Sequence, residues 1–183
     1  MKNLKRILTM AFVMLSICLP TANATPFDLQ GRVVYVDDGD TIVMLVDGNV
    51  QKKVRMASID APESSHTNRE KGRIGQPYAK NSGDFLSSMV KGKTVSAHCY
   101  EQDIYGRNVC DIHADGVFVN REMVANGWAW ANGSAGGRYM RDKSFPSLET
   151  EARKRKAGLW ASSSPTAPWE WRDLCWKQGQ CAQ

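Results

Sequence analysis

The sequence predicts an α+β domain in which a small five-stranded β-barrel carries about three helices on its outside. Three strand-like runs joined by tight turns occupy residues 30–59, and two more surround a turn at residues 103–106. Between these groups, residues 76–90 place apolar side chains at helical spacing. Short strands of this kind with peripheral helices are typical of a closed barrel.

The first three strands are predicted from runs rich in β-branched residues. The turn at Gly39-Asp40 separates GRVVYV from TIVMLV, and the turn at Asp47-Gly48 separates TIVMLV from VQKKVRMASI. Such turns favour tight hairpins, so these strands should form an antiparallel meander. Residues 64–75, which follow, are polar and glycine-bearing, and a long loop beside charged residues is more often functional than idle.

The remaining elements follow from periodicity and from glycines that end helices. The helix over residues 76–90 tolerates Pro77 in its first turn and ends at Lys91-Gly92-Lys93. TVSAHCY and RNVCDIHA are predicted as strands, and GVFVN as a shorter third strand. NREMVANG is predicted as a short helix, GWAWANGSAGG as a loop, and SFPSLETEARKRKAGLW as a segment that contains a final helix. About five strands with a helix between the third and fourth predict a Greek-key barrel of the OB type.

The first 24 residues have the pattern of a secretory signal peptide. Three basic residues precede the apolar run 7–19, which is too short to span a bilayer, and Ala22-Asn23-Ala24 offers a cleavage site. The alternative is an N-terminal anchor helix. We expect a signal peptide at 1–24, a folded domain at 25–162 and a tail at 163–183, in a protein exported to the periplasm or the medium and free of the membrane after cleavage.

The net charge is weak evidence about partners. The chain has 24 Lys and Arg residues against 19 Asp and Glu residues. Three of the bases, and none of the acids, lie in the predicted signal peptide, so the mature balance is 21 − 19 = +2. This balance is compatible with an anionic partner such as nucleic acid without requiring one.

Four of the five cysteines lie outside the predicted signal peptide, and an even number in an exported protein favours disulfides. Three pairings are possible. Cys99 and Cys110 flank the predicted hairpin, and Cys175 and Cys181 are neighbours near the C-terminus, which favours Cys99–Cys110 and Cys175–Cys181. The rival is a zinc site, but the chain has no CxxC pair and its three histidines lack the spacing of ligands.

Carboxylates and arginines stand where predicted strands end or turn. Hydrolysis of a phosphodiester needs neutralised phosphate charge, an activated water and a stabilised leaving oxygen. Carboxylates and arginines with the right chemistry are Asp40, Asp60, Glu63, Arg55 and Arg107. Each also has a simpler explanation, since turn aspartates are common and arginines on strands usually reach solvent.

The stretch RMASIDAPE, residues 55–63, contains three of these charges. Strict alternation places Arg55 and Asp60 on opposite faces of a flat strand, so only a bend near Ser58 or Ile59 would bring them together. Pro62 biases Ala61 towards an extended backbone, which would present its carbonyl group.

Four collinear segments carry a resemblance to a known family. VDDGDT, VRMASIDAPE, DIYGRNVCDIHADG and ARKRKAGLW occur in the order and approximate spacing of the staphylococcal (micrococcal) nuclease, or thermonuclease, family, over roughly residues 30–160. The resemblance implies an OB-fold barrel and a Ca²⁺-dependent endonuclease that cleaves DNA and RNA to leave 3′-phosphate ends. We further expect a monomer that prefers single strands.

The resemblance also implies a role for each matching residue. The implied calcium ligands are Asp40, Asp60 and the backbone carbonyl of Ala61, and the implied phosphate ligands are Arg55 and Arg107. Glu63 is implied to face the attacking water, and Tyr105 to face the nucleotide.

The chain departs from the family prototype in three places. Ala61 replaces a threonine, which preserves the carbonyl but removes a hydroxyl. Residues 132–137 replace tyrosines that line the base pocket of the prototype, with Tyr139 and Trp130 as candidate substitutes. The cysteine pairs are absent from the prototype and suit an oxidising compartment.

Two other classes of function compete with the nuclease. One is a non-catalytic OB module that binds single-stranded nucleic acid or oligosaccharide, because a fold does not dictate a function. The other is an exported, disulfide-linked inhibitor or adhesion domain. The complete charge set favours the enzyme, because a protein that only binds has no reason to keep all five charged residues together.

Overall fold

The computed structural model describes residues 25–65 and 73–181. The predicted signal peptide, residues 66–72 of the predicted loop and the last two residues lie outside these ranges. Within the described residues, no helix is both long enough and apolar enough to cross a membrane. The division at residue 162 into domain and tail stays a prediction.

Five strands form the closed barrel that the sequence predicts. The strands of the chain are β1 (Phe27–Asp38), β2 (Thr41–Val46), β3 (Val50–Met56), β4 (Ile59–Asp60), β5 (Thr94–Gln102), β6 (Asn108–Ala114), β7 (Val117–Phe118) and β8 (Trp130–Ala131). The order β3-β2-β1-β5-β6 is antiparallel throughout, and β7 extends it beyond β6. A parallel pairing of β3 with β6 closes the barrel.

The barrel interior is filled by the alternate side chains of its strands. Residues that are fully buried there include Val33, Ile42, Met44, Val54 and Ile112. Helix side chains join the same core, among them Leu86, Met123 and Phe145. Burial of this apolar surface is the main favourable contribution to folding.

The helices are α1 (Ala79–Val90), α2 (Val119–Ala125), α3 (Ser134–Gly137), α4 (Phe145–Lys154) and α5 (Pro168–Trp171), with a 3₁₀ turn at Gly158–Ala161 and a π-helical segment at Arg172–Lys177. Three of them, α1, α2 and α4, correspond to the three predicted helices. The segment predicted as a loop, residues 127–137, also contains β8.

Two predicted element boundaries are wrong for tertiary reasons. Of the predicted strand GVFVN, only β7 forms, and α2 begins directly after it at Val119. The reason is buried Asn120, whose side chain accepts the Ile112 N–H at 2.9 Å and donates to the Ala57 carbonyl at 3.0 Å. The sequence pattern predicts that the final helix ends at Gly158, but α4 ends at Lys154. Beyond it the chain approaches Gly127, whose carbonyl would lie 2.3 Å from a Cβ on Gly158.

The third strand is predicted to be continuous to residue 59, and this prediction is wrong, because a turn at residues 57–58 separates β3 from β4. Ser58 has a φ of 67°, and after it β4 pairs with β8 instead of continuing β3. The Ser58 hydroxyl oxygen accepts the backbone N–H groups of Arg141 at 2.9 Å and Asp142 at 3.2 Å. These bonds hold the turn in its left-handed conformation.

Both predicted disulfides are present in the structure. Cys99 and Cys110 are register partners on β5 and β6, so their bridge joins two barrel strands. Cys175 and Cys181 close a short loop in the C-terminal tail, residues 163–183.

Candidate active site

The turn at Ser58 brings Asp60 back to Arg55. Arg55 Nη2 donates to Asp60 Oδ1 at 2.7 Å, and Arg55 Nη1 forms an ion pair with Asp40 Oδ2 at 2.5 Å. Asp40 reaches the same point because Thr41 is the register partner of Arg55 and the Met56 N–H donates to the Asp40 carbonyl at 2.8 Å. The bend therefore overcomes the alternation that separates these charges in a flat strand.

Asp40 also contacts the backbone of the predicted carbonyl ligand. The Ala61 N–H donates to Asp40 Oδ2 at 2.7 Å, and the Thr41 hydroxyl donates to Asp40 Oδ1 at 3.0 Å. The preceding residue must be glycine, because a Cβ at Gly39 would lie 1.8 Å from Ser82 Oγ on α1. The tight turn thus packs against the helix and carries Asp40 inwards.

Burial makes Asp38 and Asp40 weaker acids than exposed aspartates. It raises the pKa of Asp40 to about 8 against the attraction of Arg55, and the charges of Asp38 and Asp60 raise it further. Burial also raises the pKa of Asp38. For Arg55, burial alone would lower the pKa, but Asp40 and Asp60 raise it above its usual value.

Glu63 is positioned through its backbone as well as its side chain. Its N–H donates to Gln76 Oε1 at 3.2 Å, and its carbonyl accepts the Gln76 N–H at 2.8 Å. Burial raises the pKa of the Glu63 carboxyl, against the opposing effect of Arg172, with which it forms an ion pair.

Arg172 is a residue of this site that the sequence pattern did not predict. It lies in the C-terminal tail, yet its guanidinium group donates from Nη2 to Asp60 Oδ2 at 2.7 Å and from Nη1 to Asp60 Oδ1 at 3.2 Å, and it also bonds Glu63. The acidic residues raise the pKa of Arg172 against the effect of burial. The signal in the sequence is an arginine within the tryptophan-rich segment WEWRDLCW, which also contains Cys175.

The oxygen donors of this cluster are of the type that a hard divalent cation binds. Carboxylate and backbone carbonyl oxygens are the ligands that Ca²⁺ takes in proteins. The cluster contains four carboxyl groups, from Asp38, Asp40, Asp60 and Glu63, and two guanidinium groups, from Arg55 and Arg172. Among the residues that the structure describes, no three His, Cys, Asp or Glu side chains are grouped so that they could hold a metal ion. The predicted set uses only Asp40, Asp60 and the Ala61 carbonyl.

Arg107 and Tyr105 lie on the β5–β6 hairpin, apart from the carboxylates. Arg107 Nε donates to Asp103 Oδ2 at 2.7 Å, and its guanidinium carbon lies 5.4 Å from the centre of the Tyr105 ring, which is 77% exposed. Within residues 25–65 and 73–181, no hydrogen bond or ion pair joins Arg107 to the cluster around Arg55. Arg107 is nevertheless two residues before Val109, the register partner of Arg55.

Of the two candidate base-stacking residues, only Tyr139 offers an exposed ring. Trp130 is 3% exposed and meets Trp160 edge to face with 5.1 Å between the ring centroids. Tyr139 is 52% exposed. Trp130 is therefore a core residue in this chain and is no substitute for the tyrosines of the prototype.

The chain is similar to proteins named as nucleases over most of its length. The family model described as "Staphylococcal nuclease homologue" matches residues 53–162. A protein of Escherichia coli O157:H7 named an uncharacterized endonuclease is 40% identical over 146 residues, which is 79% of this chain and 86% of that protein. A staphylococcal-like nuclease of Arabidopsis thaliana is 39% identical over 120 residues, or 66% of this chain.

The plant relatives are much longer than the matched region. The alignment covers 33% of the Arabidopsis protein and 32% of a probable staphylococcal-like nuclease of rice, which is 38% identical over 120 residues. The family match spans more than half of the chain and includes the segment from Arg55 to Glu63 and the hairpin of Arg107. The chain belongs to the staphylococcal nuclease family and is a hydrolytic nuclease that acts on nucleic acid.

Proposed function

We propose that this nuclease is a Ca²⁺-dependent endonuclease that cleaves both DNA and RNA and leaves 3′-phosphate ends. The observation that carries the proposal is the buried convergence of Asp40 and Asp60 on Arg55, beside the backbone of Ala61. These carboxylates would hold the ion together with the Ala61 carbonyl, and the bound ion would neutralise negative charge on the scissile phosphate.

The other charged residues have distinct tasks in this proposal. Arg55 and Arg107 donate hydrogen bonds to the phosphate oxygens, where charge accumulates as the nucleophile attacks. To do so, Arg107 exchanges its bond with Asp103 for one with the phosphate. Tyr105, exposed next to Arg107, contacts the nucleotide.

Glu63 orients or deprotonates the attacking water. The water oxygen forms a bond to phosphorus, its proton passes to the Glu63 carboxylate, and the bond between phosphorus and the 5′-oxygen breaks. The 5′-oxygen takes a proton from solvent water and leaves as a hydroxyl, so the upstream fragment keeps the phosphate on its 3′ end. The raised pKa of Glu63 supports its assignment as the proton acceptor.

The alternative, a module that binds nucleic acid without cleaving it, has less support. A surface that only holds phosphates needs positive charge, whereas the cluster around Arg55 contains more carboxyl than guanidinium groups, and two of the carboxyl groups, those of Asp40 and Asp60, are buried. Keeping such groups out of water is costly unless they bind a cation or take part in chemistry.

Export to an oxidising compartment, a monomeric state and a preference for single strands complete the proposal. The two disulfides support the first of these, because disulfides persist chiefly in the periplasm and outside the cell. Mass determination of the protein from native cells would show whether residues 1–24 are removed, and light scattering would give the oligomeric state.

The deciding experiment is an assay of purified protein in Ca²⁺ and in EGTA. We expect cleavage of heat-denatured DNA and of RNA in Ca²⁺, slower cleavage of duplex DNA, loss of cleavage in EGTA, and products that carry a 3′-phosphate. Undiminished binding of nucleic acid with no cleavage in any divalent cation would contradict the enzyme. Products with 5′-phosphates would contradict the assigned bond.

A further inference from the structure

The C-terminal tail crosses the proposed metal site and lies outside the region that matches the family, residues 53–162. Arg172, which the tail carries, contacts Asp60 and Glu63, one a proposed metal ligand and the other the proposed proton acceptor. These are contacts between residues more than 100 positions apart in the chain. The tail therefore covers two functional groups at once.

Several contacts hold the tail in this position. The indole N–H groups of Trp171 and Trp176 both donate to the Ile74 carbonyl, at 3.2 Å and 2.9 Å. The guanidinium group of Arg73 lies over the Trp176 ring at 4.9 Å, and Trp171 is buried. The disulfide from Cys175 closes the loop that follows Arg172.

The tail is also tied to the backbone that positions Glu63. Gln76 Nε2 donates to the Thr166 carbonyl at 2.5 Å, while Gln76 Oε1 accepts the N–H of Glu63. The tail and the backbone of Glu63 are thus both bonded to the side chain of Gln76. The tail is therefore fixed by contacts before Arg172, at Thr166, and after it, at Cys175 and Trp176, and these contacts restrict the position of the Arg172 side chain.

Arg172 and a cation need the same oxygens. Asp60 Oδ1 accepts from Arg55 at 2.7 Å and from Arg172 at 3.2 Å, and Oδ2 accepts from Arg172 at 2.7 Å. Both oxygens of this buried carboxylate are therefore engaged. A divalent ion that binds Asp60 must displace at least one of these bonds and would also lie close to the positive guanidinium group.

We propose that the C-terminal tail is a built-in inhibitor of this active site, in which Arg172 occupies Asp60 and Glu63 until calcium displaces it. The inference rests on the proposed Ca²⁺-dependent function. In this mechanism the tail opens as the ion binds, Glu63 loses its ion pair, and both groups become available to water and substrate. The tail thereby raises the calcium concentration at which the nuclease becomes active.

The test is calcium binding to metal-free protein, measured by titration calorimetry. Arg172→Gln should bind Ca²⁺ about tenfold to a hundredfold more tightly than the wild type, because hydrogen bonds to charged groups are worth about that factor. The matched control is Lys177→Gln, which removes the same charge from the same tail at an exposed position. Among the described residues Lys177 pairs only with Asp173, so this change should alter the affinity less than about twofold.

A second variant and a second measurement cover the possibility that Arg172→Gln misfolds. The double variant Cys175→Ser, Cys181→Ser loosens the tail, leaves Arg172 in place and should also tighten Ca²⁺ binding. In the wild type, hydrogen exchange at the amides of Arg172–Lys177 should become faster when Ca²⁺ is added.

The proposal is overturned if Arg172→Gln binds Ca²⁺ as the wild type does or more weakly, or if Lys177→Gln tightens binding by the same factor. Unchanged exchange of the tail amides on adding Ca²⁺ would also overturn it. Failure of the proposed function looks different, because the wild type would then lack Ca²⁺-dependent cleavage. A wild type that cleaves in Ca²⁺, with Arg172→Gln unchanged in affinity and impaired in cleavage, would make Arg172 a substrate-binding residue instead.

Discussion

Glu63 combines a defined position with an unusual environment for a carboxyl group. Its backbone is bonded in both directions to Gln76, and its side chain is largely buried beside Arg172. Because burial raises its pKa, its carboxylate is a better proton acceptor than that of an exposed glutamate.

Glu63→Gln should lower kcat by about a hundredfold to ten thousandfold, because the amide keeps the shape of the side chain but cannot accept the proton. Cleavage of heat-denatured DNA at saturating Ca²⁺ measures this. Glu170→Gln, an exposed change on the tail, is the matched control and should behave as the wild type does. A variant at residue 63 with near-normal kcat and a wild-type melting temperature would remove Glu63 from its assigned role.

Arg107→Ala tests a role that the contacts of this residue do not themselves reveal, since its guanidinium group bonds Asp103. Loss of one donor to the developing negative charge should reduce kcat/KM by about a hundredfold or more. Steady-state kinetics of the variant should be compared with Arg121→Ala, an exposed position on α2. Equal activity of the two variants would exclude Arg107 from the reaction.

Among the elements, the short strand β4 has the largest effect on the site. Its two residues follow the left-handed turn at Ser58 and pair with β8, so Asp60 leaves the plane of β3 and meets Arg55. A straight strand would have buried one of these charges in the barrel or turned it to solvent. The bend is therefore the structural condition for the cluster.

The bridge between Cys99 and Cys110 should stabilise the barrel by constraining the unfolded chain. It closes a loop with a sequence separation of 11, for which chain entropy predicts about 3 kcal/mol. Replacing both cysteines by alanine should lower the free energy of unfolding in urea by that amount. Alanine at Cys175 and Cys181 is the control and should cost less, because that bridge closes a shorter loop, with a sequence separation of 6. Peptide mapping without reduction should find Cys99 joined to Cys110, and a link from Cys99 to Cys175 would contradict the pairing.

The acidic cluster couples the stability of the whole fold to pH. The pKa of Asp40 is about 8 in the folded protein against 3.8 in the unfolded chain, so the folded state keeps a proton that the unfolded state releases between these values. The stabilisation is complete below about pH 4 and is lost as pH rises through about 8. Asp38 and Glu63, whose pKa values burial also raises, act in the same direction.

Metal-free protein in EGTA should therefore become less stable between pH 5 and pH 8. Urea unfolding at intervals across this range measures the trend. Asp40→Asn, which cannot titrate at this position, should show a weaker fall. A constant or rising free energy of unfolding, or an equal fall in the variant, would show that Asp40 does not govern the effect.

The order of strands and helices follows from local patterns in the chain. Glycine turns, alternating apolar residues and helical spacing act over a few residues, so the barrel strands, α1 and both disulfide pairs could be predicted from them. The four segments VDDGDT, VRMASIDAPE, DIYGRNVCDIHADG and ARKRKAGLW indicate the family through their residue types, their order and their spacing in the chain.

Contacts between distant parts of the chain could not be predicted in this way. The convergence of Arg55 and Asp60 depends on a turn that the hydroxyl of Ser58 holds through backbone groups more than 80 residues away. The contact of Arg172 with Asp60 depends on how two tryptophans seat the tail on Ile74. Local pattern thus determines which elements form and which chemistry is present, whereas the packing of remote segments determines which charges meet, because ion pairs depend on distances that spacing in the chain does not specify.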